Sequence, residues 1–145
     1  MDDMERAQAQ ENGENQKAEE EKSDIREEAE KLLDNLTSGV MNLRRPIRAR
    51  GQDVTELKYD FARLTGTDYT RAMNSDRANR DAMSPSSTQL LALFAAAAAD
   101  REAGYDERDI TSQIGIFDVP VAVGIANNFF RLSVSVGAAR ISKKP

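Results

Sequence analysis

The side chains that could do chemistry in this 145-residue chain are carboxylates, arginines, lysines and hydroxyls, because it contains neither histidine nor cysteine. Those two absences remove the commonest general base, the commonest transition-metal ligands and every thiolate, and with them Ser-His, Cys-His and zinc-protease chemistry. They also exclude a disulfide framework, which fits a reducing compartment. Lone carboxylates on a charged surface are ordinarily solvated, so the expectation is a protein that is not an enzyme and carries no cofactor. The acidic runs Glu19-Glu20-Glu21 and Glu27-Glu28 could attract divalent ions, yet a metal cage needs convergent oxygens and runs of like charge usually repel. Arg44, Arg45, Arg48 and Arg50, with Lys143-Lys144 at the other end, could neutralise phosphates. They equally suit a solvated hairpin surface or an intramolecular partner for the acidic residues. No aromatic interleaving and no recognition-helix pattern accompanies them. Thr65-Gly66-Thr67-Asp68 lacks the lysine of a phosphate loop. It reads instead as the start of a helix, with Thr67 as cap and the Asp68 charge suited to the N-terminal dipole.

What remains is recognition through apolar surface. Ile25, Ala29, Leu32, Leu33 and Leu36 fall at i, i+4, i+7, i+8 and i+11, one stripe of a helix that Ser23 or Asp24 could cap. Such a short helix either packs on its own domain, forms only transiently, or binds a partner or a second copy. Asn127-Asn128-Phe129-Phe130 reads as a helix with two buried phenylalanines, although an exposed Phe130 would extend an interaction face. The partner-binding candidates are therefore Ile25, Leu32, Leu33, Leu36, Phe129 and Phe130.

The elements that must position these residues are legible from charge and period. Residues 1–36 hold thirteen acidic and five basic side chains, a net of −8, whereas residues 37–145 hold twelve acidic and fifteen basic, a net of +3. Met1 to Lys22 contains almost nothing to bury and is expected to be disordered, so residues 1–36 form an acidic arm with a short amphipathic helix at its end. Residues 37–132 are expected to form a globular α+β domain, an N-terminal β-hairpin on three to four helices, and residues 133–145 a basic tail that is either an added strand or mobile. In the hairpin, Met41, Leu43 and Ile47 share one face, Leu57, Tyr59 and Phe61 oppose them, and Arg50-Gly51-Gln52-Asp53 turns. Pro46 belongs near a strand end or on an edge.

Helices are expected from about Asp68 to Ala82, from Ser84 as cap through the alanine run to Gly104, over Asp106 to Ile114, and from Asp118 onward. In the last of these, Val121, Ile125, Phe129 and Leu132 supply the stripe, and Gly124 implies close helix packing. The longest apolar run, Leu90 to Ala99, is ten residues; a spanning helix needs about twenty, and the acidic start does not suit a signal peptide, so no membrane segment is expected.

The passage Val54 to Met73, VTELKYDFARLTGTDYTRAM, resembles the tail assembly chaperones of long-tailed bacteriophages, in which a strand of this kind runs straight into a helix. The resemblance covers most of Val40 to Leu132, from the Arg45-Pro46-Ile47 element to Asn128-Phe129-Phe130. The acidic extension before Thr37 and the residues after Leu132 depart from the pattern. The resemblance implies a non-catalytic chaperone in the bacterial host cytoplasm that binds the tape measure protein, helps recruit tail tube subunits around it and is not part of the mature particle. A homo-oligomer stays open. The alternatives are a structural subunit of a phage tail or contractile injection particle, which would persist in purified particles, and a nucleic-acid-binding regulator using the arginine hairpin.

Overall fold

A computed structural model describes residues 24–138 apart from 26, 29, 33 and 34. The expected disordered segment from Met1 to Lys22 lies outside the described residues. The chain is α+β: a two-stranded antiparallel hairpin, β1 (Ser38–Ala49) and β2 (Gln52–Asp60), packed with helices. The described residues between 24 and 37 are helical (α1) and lead directly into β1. After β2 come a 3-10 turn (Phe61–Arg63), α2 (Gly66–Met73), α3 (Ser87–Ala98), α4 (Glu107–Gln113) and α5 (Val119–Ala138).

Only Arg50 and Gly51 form the hairpin turn, with φ of 53° and 77°. Positive φ at both central positions gives the turn the right-handed twist of its strands. Register then breaks once. Asn42 pairs with Glu56 and Ile47 with Val54, so four residues of β1, Leu43 to Pro46, bulge opposite Thr55 alone. Pro46 sits where no ladder donor is required. A bulge leaves amides without ladder partners. Here the Asp118 carboxylate accepts both, from Arg44 N–H at 2.9 Å and Arg45 N–H at 3.0 Å. The Gln113 side-chain amide repeats the device further along β1: its Oε1 accepts from Arg48 N–H at 2.7 Å and its Nε2 donates to Arg48 C=O at 3.1 Å.

α3 is the hub of the core. Phe94, Ala95, Ala97 and Ala98 are fully buried, and α3 touches α2, α4, α5 and β2. Tyr59 packs on Phe94 (5.5 Å) and on Phe61 (5.7 Å), and Phe61 stacks on Phe129 (4.4 Å, 6°), joining hairpin, α3 and α5 through aromatic faces. Phe61 is buried as expected, but it opens the 3-10 turn instead of ending the strand. The Arg63 guanidinium donates to the carbonyls of Ala96, Ala97 and Ala99, which places a cation on the carbonyl end of α3.

Several boundaries differ from those expected. The cap of α2 is Thr65, not Thr67, in a capping box with Asp68. α2 stops at Met73, whose carbonyl accepts from Gln89 Nε2 in place of a further helical amide, and beyond it the Asn79 and Asp81 side chains accept from Asp81 N–H and Met83 N–H and hold a loop. α3 is capped by Ser86, not Ser84, and its box partner Gln89 holds the preceding loop. Gln89 is 2% exposed; its Nε2 donates to the carbonyls of Met73, Asp76 and Asn79, and its Oε1 accepts from Asn79 Nδ2 and Ser86 N–H. α3 ends at Ala98, before Gly104, whose φ of 94° serves a turn, and an added Cβ there would come within 2.5 Å of Arg50 Nε.

α5 brings the largest correction. Its buried stripe is Ala122, Ala126 and Phe130, one position later than the expected Val121, Ile125 and Phe129; Val121 is half exposed. The alanine run of α3 admits small side chains at closest approach, so the alanines of α5 face it and the branched residues flank the contact. Gly124 is not at a close approach: an added Cβ there meets nothing within 4 Å. The helix runs to Ala138, so residues 133–138 are neither strand nor tail. Its Val119–Gly137 stretch, of mean hydropathy 1.3, is long and apolar enough by composition to cross a membrane. Counting uninterrupted apolar runs missed this, because Asn127, Asn128 and Arg131 interrupt the run without making its average polar.

Candidate functional site

The six partner-binding candidates separate. On α1, Ile25 is 65% and Leu32 55% exposed, and Leu36 is half-buried; the Leu33 side chain lies outside the described residues. Phe129 and Phe130 belong to the inside of the chain. Phe129 is half-buried in its stack on Phe61, and Phe130 lies in the core. An exposed Phe130 is thus corrected: with the one-position shift of the α5 stripe it is buried in the core.

A second apolar surface was not anticipated. Ile116 and Phe117 are 78% and 69% exposed in the short loop between α4 and α5, and Val121 stands one helical turn beyond Phe117. The Arg44 guanidinium lies 4.8 Å from the centre of the Phe117 ring, a cation–π contact. The loop is held firmly beneath. Asp118 and Val119 N–H groups donate to Gly115 C=O, and the Asp118 carboxylate, 4% exposed, grips the β1 bulge. A Cβ on Gly115 would meet the Arg45 Cβ at 2.9 Å, so loop and bulge touch where only glycine fits. The sequence signal was Gly115-Ile116-Phe117-Asp118 itself, two large apolar residues in a loop between a glycine and a cap.

The arginines do not act as one patch. Arg44 covers Phe117, Arg48 pairs with Asp53 at 3.4 Å on the surface, and Arg50 donates to Arg101 C=O at 3.4 Å. Lys143 and Lys144 lie outside the described residues.

No family model, curated protein or solved structure matches this chain. Its site chemistry therefore rests on the geometry alone.

Displaced ionisation constants trace to architecture. The Asp68 carboxyl lies below its ordinary 3.8 because the Thr65 backbone amide and hydroxyl donate to it. Asp106 is lowered chiefly by the Asp109 N–H of its own capping box. Burial pushes the Tyr105 hydroxyl above 10.0, helped by the Asp100 carboxylate. Among the described residues no cluster of three or more carboxylates could hold a metal ion, and Glu27 and Glu28 are exposed on α1; Glu19-Glu20-Glu21 lies outside them. Among the exposed apolar side chains of the described residues, Ile25 and Leu32 stand on the acidic helix α1, and Ile116, Phe117 and Val121 stand beside the Arg44 guanidinium.

Proposed function

We propose that this chain is a tail assembly chaperone of a long-tailed phage or prophage, which binds the tape measure protein in the host cytoplasm and helps tail tube subunits assemble around it without catalysis. The observation that carries the reading is the passage from Leu57 to Tyr69. Leu57 on the strand and Phe61, which opens the 3-10 turn, are both buried, and Thr65 with Asp68 closes a capping box. Leu57, Tyr59, Phe61, Thr65 and Asp68, which bear the resemblance, thus each have a structural task where the strand passes through a short turn into a helix. The α1 stripe adds a physical means, since Ile25 and Leu32 are exposed on a helix rich in carboxylates. A reversible chaperone needs such an apolar contact line in a soluble, charged setting.

The test is co-purification with segments of the tape measure protein. Ile25→Asp and Leu32→Asp should weaken capture while circular dichroism and the melting curve stay as in wild type, because both positions are exposed. Phe130→Ser is no probe of binding, since it opens the core. Absence of tape measure binding by the wild type refutes the chaperone reading, and persistence of the protein in purified particles turns it toward a structural subunit.

A further inference from the structure

We propose that the loop between α2 and α3, residues 74–86, is a latched strap: it opens as one unit about Gln89, and on opening it joins two cavities into a single apolar groove across the start of α3. Neither the strap nor Gln89 enters the tape measure reading.

The loop spans the thirteen residues between Met73, which ends α2, and Ser87, which begins α3. Connections longer than about twelve residues without helix or strand are uncommon in a compact domain and usually serve a function. None of these thirteen residues is buried, and Ala78, Ala82, Met83 and Pro85 all stay outside the apolar core. Hydrogen bonds hold the loop instead. Among the described residues, Gln89 is the one side chain outside the loop that bonds to it. Its Nε2 is shared among the carbonyls of Met73, Asp76 and Asn79 at 2.9, 3.2 and 3.2 Å, and its Oε1 accepts from Asn79 Nδ2 and Ser86 N–H, both at 2.8 Å. Asn79 is the matching centre within the loop: its side chain also donates to Ser84 C=O at 2.9 Å and accepts from Asp81 N–H at 3.2 Å. Both limbs of the loop are therefore fastened through one amide pair, Gln89 with Asn79, and release of that pair releases the whole. Opening exchanges these bonds for bonds to water, exposes no core residue of the loop itself, and returns the conformational entropy of the segment.

The strap borders two cavities. On the α2 side, Tyr69, Met73, Arg77 and Arg80 wall a space of about 410 Å³; on the α5 side, Pro85, Leu90, Val119 and Val123 line one of about 500 Å³. Gln89 lines the first and its neighbour Leu90 the second, so the two spaces meet at the start of α3. The charged wall of the first cavity, Arg77 and Arg80, belongs to the strap and leaves with it. Tyr69, Met73, Leu90, Val119 and Val123 stay behind on α2, α3 and α5, and lifting the strap exposes them along one line. The buried Gln89, 2% exposed while the strap is closed, then finds water for its amide.

Limited trypsin digestion at Arg77 and Arg80, both exposed within the loop, and amide hydrogen exchange read the opening in the full chain. Gln89→Met keeps the volume of the side chain and removes its polar atoms, and Asn79→Ala breaks the same pair from the loop side without touching α3. Each should raise cleavage at Arg77 and Arg80 by about tenfold or more, since cleavage follows the population of the open form. The amides of Asp81, Met83, Ser84 and Ser86 should speed up together, while those of the hairpin and α5 keep their wild-type protection. Fluorescence of the neutral apolar dye Nile red should rise in both variants as the groove is uncovered. Unchanged cleavage and exchange in both variants overturns the proposal. An equal rise in loop, hairpin and α5 exchange also overturns it, because the opening would then be global. Faster loop exchange without added dye binding refutes the joined groove. Neither variant alters α1 or the passage from Leu57 to Tyr69, so tape measure capture is a separate measurement.

Discussion

Removing the Asp118 carboxylate should be among the most damaging single changes on this surface. Asp118 is 4% exposed and accepts from Arg44 and Arg45 N–H at 2.9 and 3.0 Å, across 74 and 73 residues of sequence. A hydrogen bond to a charged acceptor contributes about 1.5–3 kcal/mol, and an amide left buried without one costs a similar amount. Arg44 and Arg45 are themselves exposed, so water will reach part of the vacated site. Asp118→Ala should therefore cost about 2–4 kcal/mol, less than the roughly 3–6 kcal/mol of two bonds fully shielded from water. At about 4 °C per kcal/mol for a domain of this size, the melting temperature should fall by about 8–16 °C. Asp118→Asn should lose nearly as much, since one of its two polar atoms becomes a donor facing a donor. Urea unfolding measures the loss, and hydrogen exchange at the Arg44 and Arg45 amides locates it. A melting temperature within 2 °C of wild type for both variants, or unchanged protection of those amides, refutes the clamp.

Gly124→Ala should stabilise by about 0.5–1 kcal/mol, because the position is helical and an added Cβ has open space, and a melting curve shifted upward checks it. Phe61→Ala should cost about 3–5 kcal/mol in chemical denaturation, since Phe61 is 3% exposed and stacked on Phe129; a near-neutral result would move Phe61 out of the core. Asp68 and Asp106 have carboxyl pKa values below the ordinary 3.8, so their folded forms bind fewer protons than the unfolded chain near that pH. The stability they contribute is present above 3.8 and is lost as pH falls through their folded values; in Asp68→Asn plus Asp106→Asn the acid-unfolding curve should flatten in that window.

The α+β class, the hairpin with its buried Met41, Leu43, Ile47 and Leu57, the central place of the alanine run and the short helix after Asp106 were all legible in the sequence, because period and cap chemistry are local properties. What only the tertiary structure decided was where long-range partners intervened. Gln89 drew the 74–86 loop onto itself and so ended α2 early, an outcome set by five hydrogen bonds spanning up to sixteen residues, whose polar partners carry no hydrophobic period to announce them. The rotation of α5 was decided by the shape of α3, whose small residues receive Ala122 and Ala126 and carry Phe130 into the core. A stripe chosen for bulk fell one residue away. The guanidinium-rimmed apolar surface, likewise, exists because the bulge at Leu43 to Pro46 and the Ile116-Phe117 loop, over seventy residues apart, are joined through Asp118. Spacing names the residues that can bury or cap; which of them are left facing water is settled by the neighbours that the folded chain brings to them.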